Sequence, residues 1–339
     1  MKMKIFIFTV CLAVLGVSLY SFSNVVRAKD DVQEPLAYRQ EMAELIIRIK
    51  DYGTAKQGEN FFVIANGGAG LMETNEYMPQ AEYDRLVHKL DGVMTESVNY
   101  GWDMEMDKAT PPEDQQEFHA LLRNGKRSGV LPLVLDYCEE PANQQRAYRE
   151  DRSYGYLGWT SARRELDRLP AGLPHNDNAF SCTRLSDAQN YLVLLNPEAF
   201  PSREGYIRSL AASSYDLLII DAYYGDEPLT KAEVAALQQK PQGGRRLVAA
   251  YMSVGEAENY RSYWQSSWEK NPPAWLWKAN KDWEGNFRVR YWQKEWQQML
   301  LGSESSYLDG ILQAGFDGVF LDVVDVFYEF ENVARGADS

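Results

Sequence analysis

A (β/α)8 barrel is the fold predicted for this 339-residue chain, and three observations carry that expectation. Eight short apolar runs rich in β-branched and aromatic residues recur along it. Several are continuous rather than alternating, as strands buried on both faces of a parallel sheet require. Helical patterns fall between them, and the alternation fills about 260 residues, the span typical of one such barrel.

In chain order the strand runs are residues 61–65, 92–96, 130–137, 154–159, 191–195, 216–221, 246–253 and 317–322. Leu217-Leu218-Ile219-Ile220 is the plainest continuous one. Among the helices, Tyr83, Leu86, Val87 and Leu90 form an i, i+3, i+4, i+7 stripe, with His88 beside it as an ordinary surface residue. Pro35 and Pro112 stand where a first-turn proline is tolerated, and Thr230 to Glu233 spells a capping box. Leu308, Ile311 and Leu312 precede Gly315, a residue suited to the left-handed conformation that ends a helix. The longest inter-strand stretch, residues 254–316, has to hold an elaborated loop as well as helices. The competing fold, an open doubly wound sheet, needs a G-x-G-x-x-G turn. Asn66-Gly67-Gly68-Ala69-Gly70 fails that pattern because residue 73 is Glu.

Composition narrows the partners. Lys+Arg total 35 against 49 Asp+Glu, a net charge of −14 with no basic stripe, which excludes nucleic acid. Three histidines are too few for a histidine-rich zinc centre. Lys2 and Lys4, the apolar run over residues 5–22 and the small-residue exit Val26-Arg27-Ala28 read as a cleaved signal peptide over residues 1–28. An uncleaved membrane anchor is the other reading of that run. Cleavage leaves residues 29–339 as a single exported barrel domain, periplasmic or extracellular, with no stable membrane insertion. Losing Lys2, Lys4 and Arg27 takes the net charge from −14 to −17. Cys138 and Cys182 then remain, as one disulfide or as two separate thiols.

Barrel chemistry gathers where strands end. Those ends carry Glu96, Asp136, Asp221 and Asp322, with Glu256 just past Ser253 and Asp325 three residues beyond Asp322. Like charges crowded at one mouth raise each other's pKa, so one carboxyl can stay protonated while another is ionised. Glycoside hydrolysis needs such a pair, and a divalent-cation site is the competing use. Seven of the nine tryptophans fall within residues 264–296. A satellite core would explain some, Trp292 and Trp296 first by their helical spacing. Trp264 and Tyr291 are expected to line the cleft, where aromatic rings stack on sugar faces.

At these residues a resemblance emerges. VAAYMSVGEAENYRSYW, from Val248 to Trp264, resembles the signature of glycoside hydrolase family 114, the endo-α-1,4-polygalactosaminidase-like barrels: a strand ending in tyrosine, then S-x-G-x-A-E-x-Y-R-x-Y-W. WEGNFRVRYW, from Trp283 to Trp292, resembles the W-x-G-N-x-x-V-x-Y-W segment of that family. GFDGVFLDVVD, from Gly315 to Asp325, resembles its G-F-D-G-x-x-L-D-x-x-D strand. In the family these motifs form the first half of the barrel, whereas here they end near residue 330. The other half stands in front: residues 42–67 look like its helix and Asn-Gly strand, 90–100 like its glutamate strand, 132–137 like the next strand, and 155–167 like its closing strand and helix. The chain thus reads as a circular permutant opened in the loop after the Asp322 strand, with Gly68 where the family has the Glu of Asn-Gly-Glu.

The resemblance implies a retaining endo-hydrolase of α-1,4-linked galactosamine-rich polysaccharide, with Asp322 as nucleophile and Glu96 as general acid/base. Asp221, Tyr251, Glu256 and Arg261 would orient the sugar, with Asp136 and Tyr137 on the far wall and Asn66 and Asp325 also touching substrate. No cofactor and no metal are implied, and the partner is the polysaccharide itself, with a cationic amino-sugar polymer as one candidate. The alternative from another class is a non-catalytic saccharide-binding or biofilm-matrix module on the same barrel.

Overall fold

The computed structural model describes residues 37–336, so the leader expected over residues 1–28 lies outside it. Eight strands form the central sheet: β1 (Phe62–Asn66), β2 (Gly92–Glu96), β3 (Leu131–Tyr137), β4 (Leu157–Ser161), β5 (Tyr191–Leu194), β6 (Leu217–Ile220), β7 (Leu247–Ser253) and β8 (Gly318–Asp322). Hydrogen-bonded neighbours all run parallel, in the order β4-β3-β2-β1-β8-β7-β6-β5. The two ends of that order, β4 and β5, pack side by side, so the sheet curls into a nearly closed barrel. This is the (β/α)8 architecture expected from the eight apolar runs.

Helices cover the outside: α1 (Tyr38–Gln57), α2 (Gln80–Val87), α3 (Pro112–Arg127), α4 (Pro141–Tyr154), α5 (Arg203–Ala211), α6 (Lys231–Leu237), α7 (Lys294–Leu300), α8 (Tyr307–Ala314) and α9 (Phe327–Ala334). Their ends follow the local chemistry. Pro112 opens α3, where its missing N–H removes no bond. Thr230 and Glu233 cap α6 reciprocally, and Gly315 closes α8 at φ 87°. Tyr83 and Leu86 of the predicted stripe face the core while His88 is exposed.

Two segments depart from expectation. Tyr154 ends α4 instead of opening β4, because Gly155 takes a left-handed conformation (φ 67°) that stops the helix and delays the strand to Leu157. Residues 162–190 between β4 and β5 contain no α-helix, only the 3-10 turn Leu185–Asp187, so the helix expected within 155–167 is absent. Leu166 takes a left-handed conformation (φ 46°) inside the expected stretch, which a continuing helix does not allow. Between β7 and β8 the long insertion folds as an antiparallel sheet of Glu256–Glu258, Asn286–Val289 and Leu276–Ala279, in that order, followed by α7 and α8.

The two ends of the described chain meet. Tyr38 stacks on Phe330 with centroids 5.5 Å apart, and Arg39 Nε donates to Glu331 Oε1 at 2.9 Å, joining α1 to α9. Cys138 and Cys182 are both buried and unpaired, which settles that alternative for two separate thiols.

Candidate active site

The sheet order brings three polar strand ends together. β1 lies between β2 and β8, so Asn66 ends a strand between Glu96 and Asp322. The residue after each of them is left-handed: Gly67 (φ 72°), Ser97 (φ 55°) and Val323 (φ 58°). Glycine accepts this at no steric cost, whereas a β-branched valine there is a true outlier, at a cost on the order of 1–3 kcal/mol. The chain therefore turns away sharply behind each side chain. Gly67 serves close packing as well, since a Cβ there would stand 2.9 Å from Asp325 Cγ.

Asn66 bridges the two carboxyls. Its Nδ2 donates to Glu96 Oε1 and to Asp322 Oδ1, each at 2.9 Å. The remaining oxygens have donors from the flanking strands: Tyr137 OH gives to Glu96 Oε2 at 2.5 Å, and Tyr251 OH gives to Asp322 Oδ2 at 3.1 Å. Glu96 and Asp322 are only 4% and 6% exposed. Burial is the first cause that drives the Asp322 pKa up to about 7; the Asn66 bond opposes it, and the like charge of Glu96 adds to it. Burial likewise raises Glu96, against the Tyr137 and Asn66 hydrogen bonds and the charge of Arg164. Asp325 is also pushed up to about 7, by burial first, with Arg288 opposing and Glu329 adding.

The other sequence-predicted residues sort by their partners. Arg261 is buried and paired, its Nη1 to Asp221 Oδ1 at 2.9 Å and its Nε to Glu258 Oε2 at 2.8 Å. Asp221 is thereby neutralised, as is Glu256, whose carboxylate takes Arg288 together with Asn280 (2.7 Å) and Asn286 (3.1 Å). Both are tied into frameworks, unlike the pair at Asn66. Asp136 does not stand on an open far wall. It is fully buried, and its carboxylate accepts the Asn99 and Tyr100 backbone N–H groups (2.7 and 3.0 Å) and the Asn99 amide (2.7 Å). Nor is Tyr137 a remote wall, since it donates directly to Glu96.

Among the aromatics, Tyr291 is a correction. It is 0% exposed with its OH bound to Tyr38 O at 2.8 Å, because it packs beneath the joint between α1 and the insertion rather than at the cleft. Trp296 is fully buried as its helical spacing implies, donating to Val254 O at 3.0 Å. Trp264 is half-buried and stacks on Phe287 at 4.8 Å; a ladder through Trp268 and Trp275 leads from it to Trp296. Two functional neighbours were missed. Glu258, the partner of Arg261, was visible as the E of the quoted S-x-G-x-A-E motif. Arg164 had no sequence signal.

Residues 206–338 match glycoside-hydrolase family GH114. The GH114 match holds Asp221, Tyr251, Glu256, Arg261 and Asp322, while Asn66, Glu96 and Tyr137 precede it. The chain is 39% identical over 156 residues to an uncharacterized protein of Methanocaldococcus jannaschii, covering 46% of this chain and 43% of that protein. An uncharacterized protein of Deinococcus radiodurans is 40% identical over 127 residues (37% and 38%), and one of Thermotoga maritima 29% over 148 residues (43% and 44%). The matched stretch thus spans less than half the length of each of these curated relatives. Among the described residues no helix is long and apolar enough to cross a membrane.

Proposed function

We propose that this chain is an exported, retaining endo-glycosidase that cuts α-1,4-linked galactosamine-rich polysaccharide. The observation that carries the reading is the pair of buried carboxyls joined by one amide. Both bonded oxygens lie 2.9 Å from the same Asn66 Nδ2, which holds the two carboxyls close to each other. Retaining glycosidases hold their two carboxyls about 5–5.5 Å apart, leaving no room for a water between nucleophile and sugar. The GH114 match over β6–β8 supports the same class.

In this mechanism Asp322 attacks the anomeric carbon while Glu96 protonates the departing glycosidic oxygen. Glu96 then takes a proton from the water that releases the sugar from Asp322. Asn66 and Tyr251 donate to Asp322 and stabilise the charge it must carry as nucleophile. Burial raises both carboxyls, Asp322 to about 7, so the pair holds a proton above the ordinary carboxylate range. A glycosidic oxygen placed beside Glu96 offers that proton an acceptor. A Cβ at Gly68 would meet Ala65, Val93 and Val324.

The net charge of −17 over residues 29–339 favours a cationic, partly de-N-acetylated polymer. We also read residues 29–339 as one catalytic barrel in circularly permuted order. The contact between α1 and α9 and the confinement of the family match to the C-terminal part support that reading. The test is incubation with de-N-acetylated galactosaminogalactan. Release of reducing ends with retained anomeric configuration, read by proton NMR, is expected. Binding without chain shortening would instead establish the non-catalytic module.

A further inference from the structure

Arg164 follows β4 at the barrel mouth. Its guanidinium carbon lies 4.0 Å from the centroid of the Tyr137 ring, and the side chain donates to Gly101 O and reaches Met104 Sδ at 3.5 Å. The residue is 9% exposed, and its Nε has no hydrogen-bond partner. It enters no ion pair among the described residues, unlike its neighbour Arg163, which meets Asp167 at 2.9 Å and Glu165 at 3.4 Å. A buried arginine without a carboxylate is costly to keep, so its position calls for a use. The ring it covers belongs to the tyrosine that donates to Glu96.

We propose that Arg164 is a positioning residue for Glu96: it clamps the Tyr137 ring in the orientation that donates to that carboxyl and sets a positive charge against it across the ring. The cation over the ring face holds the tyrosine without occupying its hydroxyl. The flat guanidinium is anchored at Gly101, in the loop that leaves β2 immediately after Glu96, so the clamp moves with the acid it serves. Burial is the first cause that raises both Glu96 and Tyr137, with the Glu96 charge and hydrogen bond adding to it at Tyr137, and the charge of Arg164 opposes that rise in each. Once Glu96 has given up its proton, this charge stabilises the carboxylate until it serves as base. The inference rests on the reading of Glu96 as general acid/base.

The test needs no substrate. Carbon-13 NMR titration of glutamate side-chain carboxyls in the full chain, with Glu96 assigned by its loss in Glu96→Gln, reads the proton affinity directly. Arg164→Met keeps the aliphatic bulk and removes charge and donors; Arg164→Lys returns the charge. The Glu96 midpoint should move upward in Arg164→Met and return most of the way in Arg164→Lys. Should the methionine variant fail to fold, Arg164→Gln retains a donor toward Gly101 without charge and should show the same upward movement. An unmoved midpoint, or equal displacement in the lysine and methionine variants, would overturn the proposal and leave Arg164 as packing. Reducing-end release by Glu96→Gln is scored separately: full activity there defeats the acid assignment whatever the titration shows.

Discussion

Replacing Asn66 with alanine removes both hydrogen bonds that join Glu96 to Asp322, and the consequence depends on pH. Each bond is 2.9 Å to a buried carboxyl. A bond to a charged group contributes about 1.5–3 kcal/mol and a neutral one about 0.5–1.5 kcal/mol, so the loss is about 3–6 kcal/mol when both carboxyls are ionised and about 1–3 kcal/mol when both are protonated. The sign follows from linkage. Asp322, raised in the folded state from 3.8 to about 7, loses stability as pH climbs through that window. Asn66 opposes the rise at Asp322 and at Glu96, so its removal raises both further and extends the loss to higher pH. Urea unfolding should therefore show Asn66→Ala closest to the parent near pH 5 and furthest from it near pH 8.5. Turnover near neutral pH should fall by about 10²–10³, as when one preorganised donor is removed from a reacting charge, and the alkaline limb of the rate profile should shift upward. An equal stability loss at both pH values would refute the bridge as the reason for that limb.

Asp322→Asn keeps the shape of the nucleophile without its charge; turnover should drop by on the order of 10³ or more with the melting temperature held or raised, and near-native activity would transfer the role elsewhere, to Glu256 first. Glu96→Gln should lose about 10²–10⁴ on polymer yet recover on a substrate whose leaving group needs no protonation, a contrast read by comparing kcat on the two. Asp136 and Asp151 share the Asn99 amide at 2.7 and 3.1 Å, and burial raises both carboxyls, so stability falls as pH rises above the ordinary carboxylate range. Asp151→Asn should flatten that decline in urea midpoint between about pH 5 and pH 8, and parallel curves for variant and parent would remove the explanation.

Much of the barrel was legible because burial on both faces leaves continuous apolar runs, and the eight strands formed within a few residues of those runs. β4 moved because left-handed Gly155 outranked the apolar character of Tyr154 and Tyr156. The helix expected after β4 is absent, and left-handed Leu166 (φ 46°) interrupts the stretch over which it was expected. Strand-end carboxylates were equally visible, yet six looked alike. Arg261, Arg288 and Asn99 separate them, because each ties a carboxylate into a buried ion pair or a set of amide bonds, whereas Glu96 and Asp322 share Asn66 and take one tyrosine each.

The aromatic cluster shows the same division. Residue type predicted that the tryptophans within 264–296 would gather, but Tyr291 turned inward to Tyr38, a residue 253 positions away whose approach no local pattern encodes. The sequence by itself determined where the strands and most helices lie and the acidic character of the mouth, since hydrophobic period, caps and strand ends are local properties. Tertiary structure alone decided which two carboxyls share Asn66, because that depends on β1 closing between β2 and β8 and on strand neighbours contributing Tyr137 and Tyr251. Proton affinity is set by such distances and by burial, and neither is a property of one residue or of its neighbours in the chain.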